Sequence, residues 1–588
     1  MIEQVAALPD ADARVYVPSS VRRIAACLAV IAVIGAAAAL LQLAGLSRSP
    51  FHTKGEPREA VVVQDLVRRG DWVLPQRAGV NLPRKPPLFY WLGGVVAKAR
   101  GVVDEAGVRL PSAILSAIAC AAIATLVTVL YGGVAGAVSG LALLTSFEWE
   151  RAATTARVDM ALAFGLTIAF AGLLAFRRVE RRAWLLLFYA GVTWATLSKG
   201  IPGLAIPAFQ IVLLCIVDRS PAFALRLRPI VGVAVVLLIS GAWYAAAAAQ
   251  GGAAFLTIVF NENLVRVVGE RGLPLGHRHS IPYLSAALLG GLLPWTVLLP
   301  STALALWRER RTIDRWDPRL FALLWIVAVF TPHAIAASKR GVYLLPLYPA
   351  VCLLVGWWAA ALLRGTTPAR WLPRVLAPLA WVLAALLALL AIVALGEALG
   401  AGLLETAAQL TAPRTARDLA LVAAAPAQDW ITLAVCLALA ASAAVALACG
   451  AGARRWGIAF AALLCCTAAV TYGVRMIVLP ALAEGETPRH LALALRRVVP
   501  DPADLHTGPS FDYGTLFYWG EPMPVYDPAS ASEPPDYLLA TATVRRRMSP
   551  ALRQRYRPVP GLPIEPGGDQ GYAALLQRID EGTQRTAD

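Results

Sequence analysis

Charge is what this chain has least of. Asp, Glu, Lys and Arg make up 15% of its 588 residues, against 58% apolar, with a mean hydropathy of +0.62. That excludes a disordered polyelectrolyte and any ordinary soluble domain. Lysine is nearly missing: Lys54, Lys85, Lys98, Lys199 and Lys339 are the only five among 53 basic residues. Arginine is the default cation, so a lysine marks a position where chemistry can select it. The eight cysteines (Cys27, Cys120, Cys215, Cys352, Cys436, Cys449, Cys465, Cys466) all fall in apolar runs without Cys-x-x-Cys spacing. A disulfide scaffold and a cysteine zinc site are excluded. Glycine shows no triplet period and no internal repeat is visible. No cleavable signal peptide is expected, because the first apolar stretch, 24–46, starts late and is long enough to be an anchor.

What is present is apolar sequence in runs of about 17 to 25 residues, the length that crosses a bilayer. Thirteen spans are expected near 24–46, 109–131, 132–147, 160–176, 183–198, 200–217, 229–249, 281–306, 320–337, 341–363, 375–396, 430–450 and 456–478. The formal charge of +16 reads as topology rather than nucleic-acid binding. Arg22-Arg23, Arg177-Arg178 with Arg181-Arg182, Arg219–Arg228, Arg308–Arg319, Arg364–Arg374 and Arg454-Arg455 all fall on one side of a thirteen-span chain, the cytoplasmic side by the positive-inside rule. The fold class expected is mainly α: a polytopic membrane helix bundle with a small C-terminal extracytoplasmic α/β domain. Residues 1–20 are expected as a disordered cytoplasmic tail, 21–478 as the transmembrane domain, and 479–588 as the outer domain. In the last, 487–498 reads as a helix and Leu505–Thr507, Val525-Tyr526 and Tyr537–Leu539 as short strands.

The outer connections hold polar residues that topology does not require. In the first, 47–108, the segments Pro57–Arg69 and Leu88–Arg100 are expected as helices too short to span, lying at the membrane interface. The others are Glu148–Asp159, 250–280, Ser198-Lys199 and Ser338-Lys339. Glu56, Lys85, Asp159, Lys199, Arg266, His279 and Lys339 are thereby expected on one membrane face. A group there cannot reach a cytoplasmic nucleotide sugar. It can reach a donor carried across on a lipid, whose departing phosphate cations would stabilise.

Several blocks carry a family resemblance. Gly55-Glu56-Pro57-Arg58-Glu59-Ala60, Gly70-Asp71-Trp72-Val73-Leu74-Pro75 and Arg84-Lys85-Pro86-Pro87-Leu88-Phe89-Tyr90-Trp91-Leu92 resemble the first outer loop of bacterial aminoarabinose transferases and the related protein mannosyltransferases. Arg109-Leu110-Pro111-Ser112, Arg157-Val158-Asp159-Met160, Ser198-Lys199-Gly200-Ile201-Pro202-Gly203 and Ser338 to Pro349 continue it in order. The resemblance implies a C-type glycosyltransferase of the cell inner membrane, moving a sugar from a polyprenyl-phosphate (or diphosphate) carrier to an extracytoplasmic lipid, glycan or protein, with inversion. It implies Glu56 or Asp159 as the group that orients or deprotonates the acceptor, and Lys85, Arg266 and Lys339 as donor-phosphate ligands. Arg58, Lys199, His279 and Tyr343 are further substrate contacts in this reading. The family usually has Asp-Glu where this chain has Gly55-Glu56, which leaves Glu56 as the nearest acidic replacement.

Each residue also has a plainer role. In that reading Glu56 caps the helix opened by Pro57, Lys85 anchors at the interface, Asp159 pairs with Arg157, and Lys199 and Lys339 mark span ends. His277 and His279 with Glu262 or Glu270 are a possible divalent-metal set of no standard spacing; no cofactor is required by the sequence. His333 reads as a core histidine, and Trp91, Trp295 and Tyr343 as an interfacial belt. A polytopic transporter or lipid-linked sugar flippase is the alternative from another class, and the repeats and mid-membrane ionisable residues it would show are not visible.

Overall fold

A computed structural model describes residues 20–53, 55–77, 82, 84–262, 279–367, 369–509, 511–529, 533–562 and 572–579. It forms two compact units. One comprises Met1–Leu46, Arg84–Phe89 and Arg109–Ala481, and the other Ser47–Pro83, Tyr90–Val108 and Leu482–Asp588. The long outer loop therefore groups largely with the C-terminal residues, a partition that position in sequence does not show.

In the first unit, among the described residues, ten helices are long and apolar enough to cross a membrane, and Ile281–Gly291 with Trp295–Glu309 forms an eleventh candidate bent by 101°. The two remaining expected spans are helices of a different kind. Gly133–Leu144 has only 12 residues. Arg182–Lys199 has 18 but begins and ends on a charge. Composition alone leaves both out, yet each packs along a neighbour that spans. Gly140 lies against Ala124 and Cys120 of Glu105–Tyr131, and Gly191 against Gly165 and Ala169 of Val158–Val179. Gly341–Leu363 is wholly enclosed by other segments, and its apolar character on every side suits that position.

The approach of three helices is set by missing side chains. A Cβ on Gly191 would stand 2.5 Å from the Ala169 backbone nitrogen, and one on Gly203 would stand 2.3 Å from the Ala195 carbonyl carbon. Val158–Val179, Arg182–Lys199 and Ile201–Asp218 can meet backbone to backbone only because these positions are glycine, the usual device of packing in lipid.

In the second unit, Glu56–Arg69 buries Val61, Val62, Val63 and Leu66. The stripe has a protein partner: the helix docks on Tyr513–Trp519, with Gln64 Nε2 donating to the Phe517 carbonyl at 3.3 Å and Arg68 bridging Glu521 at 2.9 Å. Tyr513–Trp519 starts where the Asp512 carboxylate accepts from Thr515 N at 2.8 Å and stops at Gly520, whose φ of 82° suits glycine. Leu88–Arg100 is helical as expected, and its Gly93 and Gly94 face Val63, Leu66 and Trp72.

The C-terminal residues build a four-stranded sheet of order β1-β2-β4-β3, with β1 Leu505–Thr507, β2 Tyr537–Thr541, β3 Tyr556–Pro558 and β4 Tyr572–Arg578. β1 and β2 are parallel and the other pairs antiparallel. Val525-Tyr526 is corrected: instead of a strand it contributes one bridge, Val525 to Thr507, while β3 and β4 were missed. The expected helix 487–498 is Arg489–Val498. Leu538, Ala540, Val544, Met548, Tyr556 and Leu576 form the core under the sheet.

Candidate functional site

In the first unit the site grows from a helical hairpin. Val158–Val179 and Arg182–Lys199 run antiparallel, so Asp159 in the first turn of one and Lys199 in the last turn of the other fall at the same end. Each is placed where its charge suits the helix dipole. Lys199 Nζ donates to Asp159 Oδ1 and stands 4.2 Å from the centroid of the Tyr343 ring. Asp159 thus takes Lys199 as a hydrogen-bonded partner, and Arg157, which the plainer sequence reading paired with it, also acts on it electrostatically. The charge on Lys199 is satisfied by a carboxylate and a ring face together. His333, whose Nδ1 is 2.7 Å from the Val329 carbonyl, tilts against the other side of this cluster with its ring 5.8 Å from Tyr343.

Lys85 donates to Glu262 Oε2 at 3.0 Å, and Arg84 approaches the other oxygen at 3.6 Å. Lys85 also acts electrostatically on Asp159. Lys339 Nζ donates to the Ala336 carbonyl at 2.6 Å, closing the end of Pro318–Ile335. His279 stacks on Tyr283 at 4.0 Å. Arg266, His277 and Glu270 lie outside the described residues. Among the described residues no group of three or more His, Cys, Asp or Glu converges on a point that a metal would fill.

Next to this cluster are two carboxylates of the connection Glu148–Asp159, which sequence reading singled out without giving either a role. The short helix Phe147–Ala153 carries Glu148, clamped by two bonds from Arg151 at 2.6 and 2.8 Å, and Glu150, 3.6 Å from Arg475. Burial pushes the Glu150 carboxyl up to about 7 in spite of Arg475 and Arg151. Arg475 in turn donates to the Leu41 and Gln42 carbonyls. The acidic residues of this segment were visible in the sequence, but their enclosure was not.

In the second unit Glu56 is buried in the first turn of Glu56–Arg69, and the helix begins on Glu56 itself with Gly55 at the N-cap and no side-chain cap. One turn on, Glu59 is a hub that sequence reading missed. Arg58 donates to its Oε1 at 2.7 and 3.0 Å, and Tyr90 Oη donates to its Oε2 at 2.7 Å. Burial alone would raise the Glu59 carboxyl, but the guanidinium groups of Arg58 and Arg77 and the Tyr90 hydroxyl outweigh it and hold the group below its usual range. The Tyr90 hydroxyl is pushed up by the same burial and by Glu59. Arg58, expected as a substrate contact, is committed to Glu59.

Other motif residues hold the loop in shape. Asp71 Oδ1 accepts from Val73 N and Leu74 N at 3.1 and 3.0 Å, and the Trp72 carbonyl accepts from Trp91 Nε1 at 2.7 Å. Arg109, in the first unit, spends its guanidinium on the Leu46 carbonyl at 2.8 Å.

A bundle of this kind joined to a small α/β unit matches one known architecture along nearly its whole length. The structure of ArnT from Cupriavidus metallidurans in the apo state superposes with a TM-score of 0.69 at 20% identity, covering 94% of this chain and 98% of that one. The form bound to undecaprenyl phosphate gives 0.66 over 96% and 99%. In sequence, residues 84–244 match the family described as Dolichyl-phosphate-mannose-protein mannosyltransferase. An undecaprenyl phosphate-alpha-4-amino-4-deoxy-L-arabinose arabinosyl transferase of Pectobacterium carotovorum subsp. carotovorum (strain PC1) is 27% identical over 334 residues, 55% of this chain and 58% of the relative. The chain thus spans little more than half the length of the curated relatives it matches. Fold and sequence together make the chain similar to the membrane glycosyltransferases that include the aminoarabinose transferases and protein mannosyltransferases.

Proposed function

We propose that this chain transfers a sugar from a polyprenyl-phosphate (or diphosphate) carrier to an extracytoplasmic acceptor. The observation that carries the reading is the set Lys85, Asp159, Lys199 and Tyr343 in the first unit: cations and a carboxylate at one end of the bundle, within blocks that resemble the superfamily. In the proposed step an acceptor oxygen attacks the anomeric carbon from the face opposite the phosphate. The carbon–oxygen bond to phosphate breaks as the new bond forms, and the configuration inverts.

Lys85 is proposed to take the negative charge of the leaving phosphate, exchanging Glu262 for it, with Arg266 and Lys339 as further ligands. Asp159 or Glu56 is proposed to accept the acceptor's proton, a role worth about 10²- to 10⁴-fold. Lys199 orients Asp159 through its hydrogen bond, and Tyr343 holds Lys199 in place. The membrane is proposed to be a bacterial inner membrane, with the N-terminus cytoplasmic and both this site and residue 588 outside, because the arginine clusters then all face the cytoplasm.

The test is transfer by the purified protein in lipid, offered radiolabelled polyprenyl-phosphate sugars and a crude envelope extract, beside Glu56→Gln and Asp159→Asn. Label passing to an acceptor in the native protein and lost in at least one variant supports the reading. Label that crosses a sealed bilayer with its phosphate bond intact refutes it in favour of a flippase.

A further inference from the structure

Elsewhere in the second unit several arginines meet carboxylates: Arg68 meets Glu521, Arg100 meets Asp104, and Arg578 meets Glu533 and Asp536 at 3.2 and 2.7 Å. One stretch is dense in arginine. From Tyr537 to Ile564 the sequence has no acidic residue, yet it carries Arg545, Arg546, Arg547, Arg553, Arg555 and Arg557. All six are exposed.

The fold gathers these charges on a firm support. Arg545, Arg546 and Arg547 end the helix Ala542–Arg547, which Thr541 caps through Val544 N. Ser549 caps the next helix, Pro550–Gln554, and the turn between them brings the Arg553 guanidinium to the Arg546 carbonyl at 3.2 Å. Arg557, on β3, donates to Gln577 Oε1 at 3.0 Å. Val544, Met548 and Tyr556 alternate with the arginines and sit in the core under the sheet, so the backbone is fixed while the charges face out. The oxygens at Arg546 and Gln577 are neutral and do not cancel the charge they receive.

Topology does not account for the cluster. The positive-inside bias acts within about 15–20 residues of a span end, and this segment lies well beyond the span that ends at Glu486. Guanidinium forks match phosphate oxygens in pairs, and several of them on one ledge suit a surface dense in phosphate. Because the unit is tethered to that span, lipid headgroups are the phosphates it meets at the highest effective concentration.

We propose that the arginine ledge at residues 545–557 is a docking surface for phosphate-bearing, anionic lipid headgroups. It stands apart from the transfer reaction and does not depend on it.

The test uses the full chain in nanodiscs of phosphatidylcholine alone, or with part of it replaced by phosphatidylglycerol, and follows amide hydrogen exchange over 542–558. Exchange on the order of tenfold slower in the anionic discs, reversed by high salt, is expected. The triple variant Arg545→Glu, Arg546→Glu, Arg547→Glu should lose that difference while β2 and β4 exchange as before, which shows the sheet intact. Equal exchange in the two discs overturns the proposal. Inorganic phosphate giving the same protection in neutral discs overturns the lipid source and assigns the ledge to free phosphate.

Discussion

Lys85 is held by Glu262, 3.0 Å away across 177 positions of chain, so the lysine singled out by its block of sequence already has an anion in place. The carboxylate sits where a phosphate oxygen would have to sit to use the same ammonium. Replacing Lys85 by Ala should abolish transfer, by at least about 10²-fold, while the protein still inserts and purifies as a monodisperse species. Activity near the native level in that variant would remove Lys85 from the phosphate's binding set.

Asp159 and Lys199 should behave as a unit. Asp159→Asn should lower transfer by about 10²- to 10⁴-fold if the carboxylate takes the proton. Lys199→Ala should cost activity and also stability, since it strands a largely buried carboxylate. A double-mutant cycle on thermal unfolding in detergent checks the pairing: additive losses would argue against it.

Glu59 predicts an acid-labile second unit. Its folded pKa lies below the unfolded value near 4.5, so its contribution is present above about pH 4.5 and fades as pH falls through the folded value. Glu59→Gln should destabilise the unit by about 2–4 kcal/mol at neutral pH and flatten the acid limb of its unfolding curve. The measurement is melting against pH for the native protein and the variant.

Glu150 predicts the opposite sign. Its carboxyl titrates near 7 when folded and near 4.5 when unfolded, so between those values the folded protein binds the extra proton. Stability should therefore fall as pH rises from about 4.5 to 7. Glu150→Gln should remove that slope and leave the protein more stable than native above pH 7; an unchanged slope would mean that another group carries it.

Gly191→Val should unfold or misassemble the hairpin that carries Asp159 and Lys199, because even its Cβ overlaps the Ala169 backbone. A loss of about 3 kcal/mol or more is expected, seen as a lower melting temperature and loss of transfer together. Gly133→Ala, whose Cβ meets only Ala26 at 3.6 Å, is the control that should stay near native.

Much of the architecture was legible in the chain. Apolar runs placed the ten helices that, among the described residues, are long and apolar enough to cross a membrane, because in a bilayer each span must satisfy its own backbone, and that requirement is local. Composition alone is ambiguous at Gly133–Leu144 and Arg182–Lys199, which rely on neighbours rather than on their own length or apolarity. The short strands Tyr556–Pro558 and Tyr572–Arg578 were invisible because three to seven residues carry too little pattern without the partners they pair with. The blocks around Glu56, Lys85, Asp159 and Lys339 drew attention to the regions from which the candidate site is built. They did not separate Asp71, Trp72 and Arg109, which hold the backbone, from the residues of the candidate site.

The sequence by itself determined that this is a polytopic helical membrane protein with an α/β extension, since hydropathy and helix length are properties of contiguous residues. Only the tertiary structure decided who pairs with whom: Lys85 with Glu262, Asp159 with Lys199, Arg58 with Glu59, and the first outer loop with Tyr513–Trp519. Those choices depend on distances between residues tens or hundreds of positions apart. In a poorly solvated interior a charge must find a partner in space, whichever part of the chain supplies it.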